Sequence, residues 1–239
     1  MLYKTLKNIL MANLAIIPAR GGSKRIPRKN IKDFLGKPIL AYSIETALKS
    51  KIFDEVMVST DDEEIAEIAI KYGANVPFMR SIENSNDFAT TTSVVKEVIE
   101  KYSTNFKMSF NLACCIYPTA PLIKPDRLNE GHELIIQNKF SKVFPVVKFG
   151  YPIWRGVKID LQQKAIMIWP ENVNARSQDL EEVFHDAGQW YWFKPNEIDI
   201  SLISGNAGVI VLNELEVQDI DRMSDWELAE LKYKVQHGI

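Results

Sequence analysis

The sequence predicts a single α/β domain in which a mainly parallel sheet is flanked by helices. Short apolar runs alternate with segments whose apolar residues recur at helical spacing, which is typical of buried parallel strands joined by crossover helices. The 239 residues are 46% hydrophobic and 25% charged, enough for one sizeable core and too few for two average domains with linkers. We therefore expect one main domain with at most a small appendage.

The first half of the chain predicts a βαβα start. In chain order its elements are a strand at 14–18, a helix after Pro38, a strand at 56–59, a helix around 65–72, a short strand at 76–79 and a helix at 92–102. Pro38 suits a helix start, where a missing N–H costs nothing. Asp61 and Asp62 follow the second strand and can cap the helix behind it.

The second half continues the alternation and then leaves it. Its predicted elements are a strand at 112–117, a helix around 128–136, strands at 142–148, 188–193 and 208–212, and a last helix with Ser224-x-x-Glu227 as a capping box. Residues 149–182 contain two short β-like runs and no helical period. We interpret this segment as an excursion from the main sheet.

Composition excludes several classes of protein. The 29 Lys+Arg against 31 Asp+Glu, net charge −2, argue against a nucleic acid or an anionic membrane as the main partner. The adjacent Cys114 and Cys115 cannot form a spaced disulfide framework, so a reducing cytoplasm is expected. No run approaches the roughly 20 apolar residues of a membrane helix. Residues 1–12 are expected to be a leader, disordered or preceding a natural start at Met11, and 13–239 the folded domain.

The densest chemical signal is the segment Ala-Arg-Gly-Gly-Ser-Lys-Arg-Ile-Pro-Arg-Lys-Asn at 19–30, directly after the first predicted strand. Open α/β sheets bind ligands beyond the carboxyl ends of their strands. Gly21 and Gly22 let the backbone approach a phosphate and present N–H groups to it, while five basic residues suit a polyphosphate. The segment is neither a Walker A loop nor a Gly-x-Gly-x-x-Gly turn. If the segment is considered by itself, the alternative is an ordinary turn whose cations are exposed to solvent.

The whole segment resembles the pattern Ala-Arg-x-Gly-Ser-Lys-x-x-x-x-Lys-Asn of the cytidylyltransferases that activate sialic acids and related keto-sugars, and every fixed position is present. The resemblance covers nearly all of residues 13–235 and implies a Rossmann-like nucleotidyltransferase domain. It also implies that a set of residues in this segment binds the triphosphate and ribose of CTP. These are Arg20, Gly22, Ser23, Lys24, Lys29 and Asn30.

A second segment resembles the part of the family that reads cytosine. It consists of Arg80 and the later run Asp87-Phe-Ala-Thr90-Thr91. Cytosine presents two acceptors beside one donor, which a guanidinium and a hydroxyl can satisfy. The alternative is an Arg at a strand end and a Thr that caps a helix.

Asp219 and Asp221 are two residues apart and lie on one side of an extended backbone. Mg²⁺ prefers one or two carboxylates together with substrate phosphates and waters; a helix cap or a surface ion pair is the alternative. The family's Asp-x-Asp motif implies that both residues bind Mg²⁺. The implied reaction is attack by the anomeric hydroxyl of a sugar on the α-phosphate, with Arg20, Lys29 and Asp221 as catalytic residues. Asp221 and a metal-bound hydroxide are the two candidates for the general base.

The implied sugar site comes from three segments. Its expected residues are Tyr117, Arg176, Gln178, His185 and Asp186. Arg176 can hold a substrate carboxylate with its planar fork, or it can pair with a surface acid such as Asp179. His185-Asp-Ala-Gly with the upstream Arg176-x-Gln-Asp-Leu is similar to the branch of the family that activates pseudaminic acid, for surface glycans or flagellin glycosylation. Tyr117-Pro-Thr-Ala-Pro departs from the Gln-Pro-Thr-Ser-Pro that is typical of sialic-acid synthetases. N-acetylneuraminic, legionaminic and keto-deoxy-octonic acids are the alternative sugars.

The aromatic stretch at 150–155 indicates a binding surface or a subunit interface. In the family this region completes the neighbour's active site, which implies a homodimer through 149–182; a satellite core is the alternative. Two other functions fit the sequence less well. A glycosyltransferase has less need of a basic cluster after the first strand, and a CTP-binding scaffold has no need of both acids in the Asp-x-Asp motif.

Overall fold

A seven-stranded mixed sheet forms the centre of the computed structural model, which describes residues 12–198 and 201–239. Its strands are β1 (Asn13–Pro18), β4 (Glu55–Ser59), β5 (Leu112–Ile116), β6 (Lys142–Lys148), β9 (Phe184–Asp186), β10 (Trp190–Phe193) and β11 (Ala207–Leu212). The order is β11-β6-β10-β5-β1-β4, and β9 also pairs with β6. The leader predicted at 1–12 lies outside the described residues except for Ala12, whose carbonyl accepts the N–H of Asn111.

Along the path β11-β6-β10-β5-β1-β4 three of the five neighbouring pairs run parallel, while β9 is antiparallel to β6. The predicted α/β class with a mainly parallel sheet is confirmed. β4, β1 and β5 are parallel to one another, and β11 is parallel to β6. β10 lies between β5 and β6 and is antiparallel to both. Its four residues are all buried and face cores on both sides of the sheet.

Helices cover both faces of this sheet. They are α1 (Ile39–Ser50), α2 (Glu63–Lys71), α3 (Thr91–Phe106), α4 (Pro125–Gln137) and α5 (Met223–His237). One core layer joins α1 and α4 to the sheet through residues such as Ile44, Leu128 and Trp192. The opposite layer joins α3 through Val95 and Tyr102. None of the helices that the structure describes has both the length and the apolar character needed to span a membrane.

Two local predictions are wrong. Residues 76–79 do not form a strand; the described chain makes one isolated bridge from Met57 to Asn75 there, and Pro77 has no N–H for a ladder. The last helix begins at Met223, and the capping box is not Ser224 with Glu227. Instead the Asp225 carboxylate accepts the backbone N–H groups of Asp221 and Arg222 at 3.0 and 2.8 Å.

Two small antiparallel sheets stand apart from the main one: β2 (Asp33–Phe34) with β3 (Lys37–Pro38), and β7 (Val157–Ile159) with β8 (Ala165–Met167). The second forms a hairpin in the excursion expected at 149–182. Apolar side chains remain exposed along it, including Ile159 at 69% and Leu161 at 104%. This amount of exposed apolar surface is unusual for a surface that has no binding partner.

The parallel strands bring three loops to one edge of the sheet. The segment 19–30 leaves β1, Thr60-Asp61-Asp62 leaves β4, and Tyr117 follows β5. The backbone N–H of Ala19 donates to the carbonyl of Ser59 at 2.9 Å, which fixes the first two loops against each other. Asp62 caps α2 as predicted, accepting the N–H of Ile65 at 3.0 Å.

Candidate functional site

A cleft with a volume of about 300 Å³ opens where β1 and β5 end; we call it the main cleft. Residues from four separate parts of the chain line it, among them Arg20, Ser23, Arg25, Lys29, Asn30, Arg80, Asn84, Asp87, Thr91 and Tyr117. The structure therefore gathers most of the residues predicted to bind nucleotide in one place. Gly22, Lys24 and Thr90 are not part of its lining.

The segment 19–30 is anchored on the loop after β4. The N–H of Gly21 donates to Asp61 at 2.9 Å, so in this state it is not free for a phosphate. A Cβ at Gly21 would lie 2.6 Å from an oxygen of Asp62, whereas a Cβ at Gly22 would meet nothing within 4 Å. The two adjacent glycines therefore have different structural roles.

Gly21→Ala is expected to destabilise the protein by about 1 to 2 kcal/mol, because the new methyl group overpacks the contact with Asp62. Gly22→Ala is expected to change the free energy of unfolding by less than about 0.5 kcal/mol. Urea unfolding of the two variants measures both values. Equal losses at the two positions would contradict this assignment.

Two consecutive cations of the segment bind different parts of the chain. Arg28 has left-handed backbone geometry, φ 54°, and its guanidinium pairs with Asp62 and Glu64 at the start of α2. Lys29 donates to the carbonyl of Ile220 at 2.7 Å. Arg28 thus anchors the segment, and Lys29 joins it to the loop that contains the Asp-x-Asp motif.

The surroundings of Lys29 act on its charge in opposite directions. Burial lowers the pKa of its ammonium group, while the nearby carboxylates of Asp221 and Asp219 favour the charged form. Asn30 is buried and donates from Nδ2 to the carbonyl of Arg20 at 2.8 Å. This bond closes the segment on itself and holds its two ends together.

The Asp-x-Asp motif lies opposite the basic segment. Asp221 forms an ion pair with Arg25 at 2.7 Å. Partial burial raises the pKa of Asp219, and the neighbouring charge of Asp221 raises it further, opposed by Lys29. Because the charge of Asp221 disfavours the ionised form of Asp219, a divalent cation bound between the two carboxylates would stabilise their oxygen donors.

Arg80 enters the cleft from a buried position. Its Nε donates to the Ser59 hydroxyl at 3.0 Å, and Nη2 donates to the carbonyl of the same residue. Burial lowers the pKa of its guanidinium, but Arg remains charged in proteins. The cation is therefore fixed by β4 with part of its fork directed at the cleft lining.

The two adjacent threonines have different roles, as the two adjacent glycines do. Thr90 is the N-cap of α3, and its hydroxyl accepts the N–H of Ser93 at 3.1 Å. Thr91 lines the main cleft, and its hydroxyl lies 3.2 Å from that of Tyr117. The helix-cap alternative thus describes Thr90, and Thr91 is the hydroxyl available in the cleft.

The residues predicted for the sugar lie in different places. Tyr117 lines the main cleft, while His185, Asp186 and Asp219 share a second cleft of about 350 Å³. Arg176 and Gln178 lie on the excursion, exposed to solvent, and line neither of these two clefts. Within one chain, the structure does not bring these five side chains together.

A polar chain that the sequence analysis missed links the two clefts. The Tyr191 hydroxyl donates to Asp186 at 2.7 Å, and its ring lies 5.3 Å from that of Tyr117. Burial raises the pKa of both phenols, so both remain neutral donors. The sequence does not indicate a site residue at Tyr191, because a run of aromatic residues is typical of a core strand.

Residues 81–86, which precede the run at 87–91 predicted to read cytosine, were also missed as a wall of the cleft. Asn84, Asn86 and Asp87 line the cleft from this side. The only signal in the sequence is the density of Asn and Asp just before a capped helix, which is equally typical of an ordinary turn.

Comparisons with known proteins show the family that the chain matches and the fold that it shares. A family model described as Cytidylyltransferase matches residues 14–198. A pseudaminic acid cytidylyltransferase of Campylobacter jejuni is 46% identical over 233 residues, 95% of this chain and 98% of that protein. A CMP-N,N'-diacetyllegionaminic acid synthase of Legionella pneumophila is 32% identical over 231 residues, 92% and 95% of the two chains. A CMP:2-keto-3-deoxy-manno-octonic acid synthetase solved with CTP has a TM-score of 0.67 and 17% identity, covering 95% of this chain and 100% of that one; it shares the fold.

Proposed function

The chain belongs to the cytidylyltransferase family, and from this premise we propose that it transfers CMP from CTP to pseudaminic acid, giving CMP-pseudaminic acid and pyrophosphate. The observation that carries the choice of sugar is the 46% identity, over nearly the full length of both chains, to a pseudaminic acid cytidylyltransferase. The legionaminic relative is only 32% identical. Tyr117 and the His185-Asp186 pair, which depart from the sialic-acid pattern, support the same sugar.

The main cleft is the proposed site of CTP. Arg20, Lys24 and Lys29 supply positive charge for the triphosphate, with Ser23 and Asn30 beside them, and the backbone at Gly22 gives it close approach. Arg80 and Thr91 lie on another wall and offer a guanidinium and a hydroxyl to the base edge of cytosine. Thr90 is left out of this assignment because its hydroxyl already caps α3.

A divalent cation fits the Asp-x-Asp motif, and we propose Mg²⁺ bound by Asp219 and Asp221. Among the described residues no group of three or more His, Cys, Asp or Glu side chains forms a metal site. Two carboxylates leave the remaining ligand positions to phosphates and waters, which is the arrangement that Mg²⁺ prefers. When bound, the cation supplies Lewis-acid stabilisation of phosphate charge.

The reaction follows from the charge of its parts. The anomeric hydroxyl loses its proton to a general base, for which Asp221 is the candidate in this chain, and its oxygen bonds to the α-phosphorus. The bond from that phosphorus to the bridging oxygen breaks, and pyrophosphate leaves with the electron pair. Arg20, Lys24 and Lys29 are the cations proposed to stabilise the departing charge, and the hydrogen bond from Asn30 to the Arg20 carbonyl already fixes the backbone that carries them. Asp221 pairs with Arg25, which lines the main cleft, and this ion pair holds the motif beside the proposed CTP site.

The proposed sugar site is completed by a second copy of the chain. Arg176 and Gln178 are exposed on an excursion whose hairpin leaves Ile159 and Leu161 in solvent, and no element among residues 12–198 and 201–239 covers this surface. A homodimer that packs the excursion against its neighbour would place Arg176 at the partner's sugar site. The proposal locates the reaction in the cytoplasm, which supplies CTP and suits the free thiols of Cys114 and Cys115.

The test is pyrophosphate release from CTP and Mg²⁺ with pseudaminic, N-acetylneuraminic, legionaminic and keto-deoxy-octonic acids offered separately. Release with pseudaminic acid alone is expected. Faster turnover of another acid would refute the choice of sugar and keep the chemistry, and silence with all four would refute the enzyme.

The shared site has its own test in the same assay. Asp221→Asn and Arg176→Ala proteins are each expected to be inactive. After subunit exchange, their mixture should recover about a quarter of wild-type activity, because half of the dimers are mixed and each holds one intact site. No recovery from subunits shown to exchange would place Arg176 and Asp221 in one chain's site.

A further inference from the structure

We propose that Asp87 is a guard of the phosphate site: its carboxylate occupies the place of a phosphate between Arg20 and Lys24, yields to a polyphosphate and excludes simple carboxylates. The inference rests on the proposed function, because that function assigns Arg20 and Lys24 to the triphosphate. It adds a residue that determines which anion those two cations accept.

The contact has the form of a bridging anion. Arg20 donates from Nη1 to Oδ1 of Asp87 at 2.7 Å, and the Lys24 ammonium pairs with Oδ2 of the same carboxylate. Each carboxylate oxygen therefore serves one cation, as two oxygens of one phosphate group would. Hydrogen bonds from Lys24 and Arg20 hold the pKa of Asp87 below its usual range, so it carries its full charge at neutral pH.

The guard comes from the opposite wall of the cleft. Asp87 lies 67 residues from Arg20 in the chain, on the loop between Arg80 and α3. Two anchors hold this loop. The Asn86 side chain accepts the N–H groups of Phe88 and Ala89 at 2.8 and 3.0 Å, and Glu97 accepts from Ser81 and Asn84.

The side chain itself is free to leave. Asp87 is exposed, and the bonds described for its carboxylate are those to Arg20 and Lys24. An exposed ion pair of this kind is weak and is screened by water. A triphosphate with several negative charges can displace it, whereas a ligand with one charge gains little by the exchange.

The exclusion matters for a reaction of this class. The proposed second substrate is itself a carboxylate, and an unguarded pair of cations would bind it in the site of the triphosphate. Asp87 offers those cations the same chemical group already in place. The sugar acid therefore gains no advantage there and is left to its own site, while CTP enters by exchange.

The test uses inorganic pyrophosphate as the probe, because its binding does not depend on turnover. In isothermal titration of the full chain with Mg²⁺ present, Asp87→Asn is expected to bind pyrophosphate about fivefold more tightly than wild type, since the competing charge is removed. Asp87→Glu, which keeps the charge, should stay near the wild-type value. Asp126→Asn on the exposed first turn of α4 is the control for net charge and should change affinity less than about twofold.

A second arm adds acetate, a carboxylate without a sugar. Acetate should weaken pyrophosphate binding in Asp87→Asn and leave the wild type unaffected. Unchanged or weaker pyrophosphate binding by Asp87→Asn, or equal competition by acetate in both proteins, would overturn the guard. Failure of the proposed function is separate: it appears as absence of turnover in the wild type, whatever pyrophosphate does.

Discussion

Asp219→Asn is expected to lower CMP transfer by at least about a hundredfold while leaving the protein as stable as wild type. The activity falls because one of two carboxylates proposed to bind Mg²⁺ loses its charge. Stability does not fall, because Asp219 is already disfavoured as an anion by partial burial and by Asp221. The assays are pyrophosphate release at saturating CTP and urea unfolding without metal.

Asp225→Asn, six residues further along the chain, provides the contrast. Its carboxylate accepts two backbone N–H groups at the start of α5, so its loss is expected to cost about 1 kcal/mol of stability. Its effect on transfer should be much smaller than that of Asp219→Asn. If Asp219→Asn keeps near-normal transfer, the motif does not hold the cation.

Glu216→Gln is expected to destabilise the protein by about 3 kcal/mol, the largest stability effect of any substitution considered. Glu216 is buried, with 8% of its side chain exposed. Arg127 donates to it from Nε and Nη2 at 3.2 and 3.0 Å, and Lys124 pairs with it at 3.1 Å. In the Glu216→Gln protein, Arg127 and Lys124 would lie beside a neutral amide, which cannot neutralise their positive charge.

This effect depends on pH in a defined direction. Burial alone would raise the pKa of Glu216, but hydrogen bonds from Arg127, the Asn213 backbone and Lys124 hold it at about 2, against an ordinary 4.5. Between these values the unfolded state binds more protons than the folded one, so stability falls as pH falls through the interval. The deficit of Glu216→Gln should be full above pH 4.5 and shrink toward pH 2.

Glu130→Gln is the matched control. Glu130 also bonds Arg127, at 2.8 Å, but 45% of its side chain is exposed, so its removal should cost less than about 1 kcal/mol. Urea unfolding of both variants from about pH 3 to pH 7 decides the matter. A deficit of Glu216→Gln that does not change with pH would show that shape rather than charge stabilises this position.

The sequence was sufficient for most of the fold. Apolar runs and helical spacing predicted β1, β4, β5 and β6 with bounds close to those observed, because burial under crossover helices leaves its pattern in each segment. The strand at 76–79 failed because short apolar runs do not reveal whether a partner strand will accept them. The sequence also did not predict that β10 runs antiparallel, because the apolar pattern of a strand is the same whichever way it runs in the sheet.

The candidate site, like the fold, was predicted in part from the sequence and in part only from the tertiary structure. The sequence by itself determined the chemistry: a basic segment after β1, an Asp-x-Asp motif, and a resemblance that the family comparison confirms. Only the tertiary structure decided which of two neighbours does what, as with Gly21 and Gly22, Arg28 and Lys29, or Thr90 and Thr91. It alone brought Asp87 to Arg20 across 67 residues. The physical reason is that spacing fixes local geometry, whereas the direction of a side chain depends on walls supplied by distant parts of the chain.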